Sequence, residues 1–170
     1  STLTNNDQKK VPIIVVQHLM EKLGEIAAKF YGYPSEKLSV IGVTGTNGKT
    51  SCTQWIAKAL SNLKQPCAVM GTLGYGFPEH LTPSAYTTPF PIEIQKILAD
   101  CYAQQASYVA MEVSSHALAQ HRVKGVQFKL AIFTNLSHDH LDYHHDLSTY
   151  ALTKKTLFDQ YFLMPIKSGQ

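Results

Sequence analysis

The sequence predicts an α/β protein: a P-loop-type, doubly wound, mostly parallel sheet flanked by helices. Three observations predict it. Apolar runs of strand length ("KLSVIGV", "PCAVMG", "SYVAMEV", "KLAIFTN") alternate with stretches whose apolar residues recur at helical spacing, and strands alternating with helices pair in parallel. A glycine-rich stretch, "TGTNGKT" (44–50), lies between the first strand and the helix after it. Polar residues follow each strand, where doubly wound sheets bind ligands.

The elements follow in order. "STLTNNDQKK" is polar and reads as loose chain. Leu19, Leu23, Ile26, Ala27 and Phe30 form one helical stripe, so 16–31 reads as an amphipathic helix that Gly32 and Pro34 end. "KLSVIGV" is the first strand, and Ile56, Ala59, Leu60 and Leu63 mark the next helix. "PCAVMG" is a second strand. Residues 72–88, rich in Gly, Pro and Thr, read as a long loop. Pro91 suits a first helical turn, and Ile94, Ile97, Leu98, Cys101 and Tyr102 continue that helix. "SYVAMEV" and "KLAIFTN" are strands, with a short helix at "SHALAQHR" between them, and 148–161 reads as the last helix.

Bulk properties narrow the function classes. The 170 residues suffice for one domain with a core. A net charge of +3 without a long basic run gives no case for nucleic acid. The apolar run 11–16 is too short for a membrane span and lacks the layout of a secretory signal. Cys52, Cys67 and Cys101 form no C-x-x-C pair. An odd count without a framework fits a reducing compartment, hence a cytoplasmic protein. The start at Ser1 without methionine and the finish at "MPIKSGQ" suggest a piece of a longer chain.

The strict phosphate-loop pattern G-x-x-x-x-G-K-[ST] fails here, because position 43 is Val43 and Gly42 sits one place early. Even so, Gly45, Asn47 and Gly48 allow a tight turn with exposed amides, and the helix starting near Lys49 favours a phosphate at its positive end. Lys49 could reach the β/γ-phosphates, and Thr50 could offer its hydroxyl to Mg²⁺. The bland alternative is a glycine-rich turn with an exposed lysine. "GTLGYG" (71–76) is a weaker glycine cluster with no helix directly after it.

Glu112 closes a strand, where it could reach a metal near the loop or sit solvated. "NLSHDHLDYHHD" holds four histidines and three aspartates, compatible with metal binding or with an ordinary polar loop. A metallo-β-lactamase-type H-x-H-x-D-H motif nearly fits His138, His140 and Asp142. Tyr143 then displaces the next histidine to 144, which damages a spacing-dependent chelate. Lys154 and Lys155 lie about 100° apart on a helix. By composition both would be solvated.

"GVTGTNGKT", "TTP", "MEVSSHAL", "QHRV", "FTNLSHDHLDYH" and "YALTKKTLF", in that order, resemble the Mur ligase family. The short T-G-T-N-G-K-T loop is that family's normal form. The likeness is strongest to members that join the third peptide residue, diaminopimelate or lysine, to UDP-N-acetylmuramoyl-L-alanyl-D-glutamate in peptidoglycan synthesis. It implies that 1–37 is the tail of an N-terminal uridine-nucleotide domain with its junction, and that 38–170 is the first part of the central ATP-binding domain. The C-terminal amino-acid-binding domain would be absent. Such an incomplete central domain would expose an edge and apolar faces.

The resemblance also implies an ATP-dependent amide ligation through an acyl phosphate, with ATP and Mg²⁺ as cofactors. The partners it implies are the UDP-N-acetylmuramoyl dipeptide and an amino acid, with no nucleic acid and no membrane, in an enzyme monomeric at full length. The 170-residue piece alone is not expected to be active. Gly45, Thr46, Asn47, Gly48, Lys49, Thr50 and Ser51 would bind ATP. Thr50, Glu112, His140 and Lys154, the last as a carbamate, would hold metal, although Mg²⁺ favours oxygen over imidazole. Lys49, Lys154 and His140 would be catalytic. Asn47, Thr87, Thr88, Ser114, Gln120 and Arg122 would bind the dipeptide substrate. The other readings are a folylpolyglutamate synthase-like ligase, which "MEVSSHAL" and "DHLDYH" argue against, and a truncated nucleotide-binding chain without catalysis.

Overall fold

The computed structural model describes residues 13–139 and 141–161. His140, expected as a metal ligand, lies outside them. The described chain runs through α1 (Leu19–Phe30), α2 (Pro34–Lys37), β1 (Ser39–Thr44), α3 (Lys49–Asn62), β2 (Cys67–Gly71), β3 (Gly74–Phe77) and β4 (His80–Thr82). It continues through α4 (Pro91–Ala103), β5 (Tyr108–Glu112), α5 (Ser115–Ala119), β6 (Phe128–Phe133), α6 (Leu141–His144) and α7 (Leu147–Thr156). A π-helical turn, Leu157–Tyr161, follows α7, so the last helix changes its hydrogen-bonding period rather than continuing evenly to residue 161.

The six strands form one sheet in the order β4-β3-β2-β5-β1-β6. The pairs β1–β5, β1–β6 and β2–β5 are parallel, while β2–β3 and β3–β4 are antiparallel. The expected mostly parallel, doubly wound sheet is therefore present. Strand alternation sorts the core into two layers. Val40, Ala68, Met70, Val109 and Met111 face Ile94, Ile97, Leu98 and Cys101 of α4. On the other face Cys67, Val69 and Ala110 pack with Ala57 of α3. The second layer is built from smaller residues, which brings α3, and the loop feeding it, close to the sheet.

Three expectations need correction. The loop expected at 72–88 contains the β3–β4 hairpin, with Gly74 paired to Gly71 and Tyr75 to Thr82. Glycine has low strand propensity, so the sequence hid these strands. Here close approach requires it: a Cβ on Gly74 would lie 2.3 Å from the Thr82 carbonyl oxygen. Pro34 opens the short helix α2 as well as following α1.

The apolar stripe of α1 only partly coincides with its packed face, sharing Ala27 with it. Leu19, Ile26 and Phe30 are exposed, Phe30 by 81 %, while Gly24, Ala27 and Ala28 are buried. A Cβ on Gly24 would sit 1.8 Å from the Lys124 carbonyl oxygen, so only the small-residue side can approach that turn. β6 forms one sheet edge among the described residues, with Leu130 and Phe133 exposed.

Candidate functional site

β1 ends at Thr44, and the chain turns through Gly45 and Gly48 (φ +144° and +82°) into α3. Gly45 is required on two counts, since a Cβ there would lie 1.9 Å from Thr134 Oγ1. The segment after β6 clamps this turn. Thr46 N–H donates to the Asn135 carbonyl at 2.9 Å. The Asn135 side chain accepts from Asn47 N–H at 3.0 Å and donates to the Asn47 carbonyl at 3.1 Å. Thr134 Oγ1 donates to that same carbonyl at 2.7 Å. Thr134 and Asn135 stand in a quoted motif, "FTNLSHDHLDYH", but nothing in their spacing told what they would grip.

Lys49 folds over the turn, donating to the Gly45 and Thr46 carbonyls at 2.9 Å each. Burial lowers its pKa from the ordinary 10.5, opposed by the charges of Glu112 and Asp139. Lys154 approaches the turn separately, donating to the Gly45 carbonyl at 2.9 Å. It is 1 % exposed and lies 4.3 Å from the centre of the Tyr150 ring. Burial first, then the nearby Lys49 charge, lowers its pKa to about 8. The composition-based expectation of a solvated Lys154 is thus wrong.

Glu112, at the end of β5, is 2 % exposed. Its carboxylate accepts from Thr50 Oγ1 at 3.0 Å and from the Thr72 N–H at 2.9 Å. The solvated reading of Glu112 falls with that. Its carboxylate and the Thr50 hydroxyl are two adjoining oxygen donors, the kind a hard cation takes. Among the described residues no group of three or more His, Cys, Asp or Glu could hold a metal ion.

Thr88, Ser114 and Arg122 make the other wall. Thr88 Oγ1 donates to the Glu112 carbonyl at 2.9 Å and accepts from Ser114 N–H at 3.0 Å. Thr88 therefore ties its segment to the end of β5. Ser114 caps α5 by accepting from Ala117 N–H at 3.2 Å. Arg122 lies over Phe90 and Tyr86, 4.2 and 5.3 Å from the ring centres. It donates through Nη1 to the Thr88 carbonyl at 2.9 Å, and through Nε and Nη2 to Gln120 Oε1. The guanidinium is a held group, unlike a free surface charge.

These walls enclose one cavity of about 510 Å³. Thr46, Asn47, Gly48, Lys49, Thr50, Glu112, Thr87, Thr88, Ser114 and Arg122 line it, and so do Thr72, Tyr86 and His116, which the sequence had not singled out. Gly45, Ser51, Gln120 and Lys154 are not in its lining; Gln120 acts on Arg122, and Lys154 on the turn. His144, grouped with the polar loop, is 3 % exposed, with its ring beside those of His116, Tyr143 and Tyr150. The loop is polar by letters but partly core by position.

A mostly parallel sheet gathers a phosphate-type turn, a buried strand-end carboxylate and a held arginine around one cavity, and this arrangement is that of a Mur ligase middle domain. The chain belongs to that family: the Mur ligase middle domain matches residues 43–163.

Among its relatives, the UDP-N-acetylmuramoyl-L-alanyl-D-glutamate--2,6-diaminopimelate ligase of Coxiella burnetii is 55% identical over 153 residues, 90% of this chain and 31% of that protein. The protein of the same name from Pseudomonas putida is 52% identical over 148 residues, 87% of this chain and 30% of that protein. A solved structure bearing that enzyme name has a TM-score of 0.76 at 39% identity, covering 87% of this chain and 30% of that one. MurF from Acinetobacter baumannii, at 22% identity, TM-score 0.62, and coverage of 90% and 32%, shares the fold. The chain thus spans under a third of the length of these relatives.

Proposed function

We propose that this chain is the phosphate- and carboxylate-handling part of a longer ATP-dependent amide ligase. That enzyme would join diaminopimelate to UDP-N-acetylmuramoyl-L-alanyl-D-glutamate in the cytoplasm as a monomer. The observation that carries the reading is the single cavity shared by the phosphate turn, Glu112 and the Arg122 wall. The amino acid follows the names of the relatives at about half identity.

The chemistry must bring two anions together, the terminal phosphate of ATP and the D-glutamate carboxylate. Neutralisation and alignment therefore matter more than covalent help. The amides of the turn and Lys49 hold phosphate, and Lys49 exchanges its turn carbonyls for phosphate oxygens. Arg122, oriented by Gln120 and two aromatic rings, offers a guanidinium to the substrate's anionic end. A carboxylate oxygen then attacks the γ-phosphorus and ADP leaves. The incoming amine attacks the acyl carbon and loses a proton, and phosphate departs.

Glu112 and Thr50 are fitted to hold Mg²⁺, which when bound supplies charge neutralisation to the phosphates. Lys154 carries its carboxylate-like role through its neutral amine: Nζ adds to CO₂, a proton is released, and a carbamate replaces the cation. Its depressed pKa favours that neutral form.

In the full-length enzyme, Lys154→Ala should lower turnover by at least tenfold, with bicarbonate failing to restore it. Wild-type turnover in that variant, with or without bicarbonate, would remove Lys154 from the mechanism. Nucleotide binding without any ligase turnover in the wild type would favour the non-catalytic reading.

A further inference from the structure

Thr72 follows β2 directly and carries no role in the reading above. Its N–H donates to Glu112 Oε1 at 2.9 Å, and its hydroxyl lies 3.2 Å from Glu112 Oε2 and 3.0 Å from Thr87 Oγ1. An ionised carboxylate only accepts, and a hydroxyl has one proton to give. With the Thr72 proton on Glu112, the bond to Thr87 must run the other way. The chain is therefore directional, Thr87 to Thr72 to Glu112.

Gly71 completes the seat. A Cβ there would meet Glu112 Oε1 at 2.1 Å and the carboxyl carbon at 2.6 Å. The carboxylate thus lies across the bare α-carbon of Gly71, with Thr72 closing one side and Thr50 the other.

We infer that Thr72 is a positioning residue that fixes the Glu112 carboxylate and ties it to Thr87, so that one hydroxyl sets both walls of the cavity. The inference rests on the proposed function insofar as Glu112 holds Mg²⁺ and Thr87 meets the muramoyl dipeptide. It adds a specificity consequence. With its own proton committed to Thr72, Thr87 presents lone pairs to the cavity and meets a ligand N–H or O–H, never a bare carboxylate.

The test uses the full-length enzyme and calorimetry, which needs no turnover. Mg²⁺ is titrated in the presence of a non-hydrolysable ATP analogue, and the muramoyl dipeptide is titrated separately. Thr72→Val keeps the backbone N–H and removes the hydroxyl; Thr72→Ser keeps both. Thr72→Val should raise both dissociation constants about three- to tenfold, the scale of one typical net hydrogen bond, while Thr72→Ser stays within about twofold of wild type. Thr87→Val should raise the dipeptide constant and leave that of Mg²⁺ less changed.

Unchanged constants in a folded Thr72→Val, or Thr72→Ser behaving like Thr72→Val, would overturn the inference; the second result would make Thr72 a packing residue. A wild type that binds both ligands but never forms the amide would refute the ligase reading, with the Thr72 comparison still decisive. A wild type that binds neither ligand overturns both.

Discussion

Lys154 and Lys155 are neighbours with opposite fates. Lys155 reaches Asp159 at the surface, while Lys154 is buried against the phosphate turn. Composition treats them alike, and helix geometry says only that they face apart. The burial has a measurable signature. The folded pKa of Lys154 is about 8, below the ordinary 10.5. Above pH 8 the unfolded chain therefore holds more protons, and stability rises with pH. The lowered pKa of Lys49 acts in the same direction. The Cys67 and Cys101 thiols are raised by burial from 9.0 to about 11 and about 12, so from about pH 8 upward, as the unfolded thiols ionise, they pull stability down. In CO₂-free buffer, denaturant unfolding should show Lys154 contributing about 1 kcal/mol of added stability between pH 8 and 9, which the buried thiols partly offset in the wild type. Lys154→Met should flatten that rise; an equal slope in the variant would place the amine in water.

At the scale of elements, the site is an agreement between segments far apart in sequence. The turn 44–50 was legible because its glycines, its Lys-Thr pair and the strand and helix around it are adjacent letters. Its clamp was not legible. Asn135 satisfies both the N–H and the carbonyl of Asn47, a pairing set by the parallel register of β6 on β1. Gly45 reports on that clamp, because it combines a positive φ with contact to Thr134. Gly45→Ala should weaken binding of a magnesium nucleotide by at least tenfold in calorimetry. Wild-type affinity would mean that the turn can move away from β6 without loss. The same dependence on partners misled the sequence at α1, whose apolar stripe and packed face differ, and at the β3–β4 hairpin, where glycines serve close approach.

For the whole molecule, the sheet is a frame that gathers strand ends. Its larger core layer depends on α4, where Leu98 and Ile94 are fully buried. Leu98→Ala should cost about 3 kcal/mol of unfolding free energy, read as a lowered denaturant midpoint. It should leave the cavity chemistry intact in the folded fraction; a loss under 1 kcal/mol would mean that this layer collapses easily around a void. No helix among the described residues is long and apolar enough to cross a membrane.

By itself, the sequence determined the alternation of strands and helices, the phosphate turn and the family, because each of these is carried by residues close together in the chain. Only the tertiary structure decided that Lys154 is buried, that Thr72 holds Glu112, and which face of α1 packs. Those outcomes depend on which backbone arrives opposite each residue, and a local pattern of side chains does not contain that information.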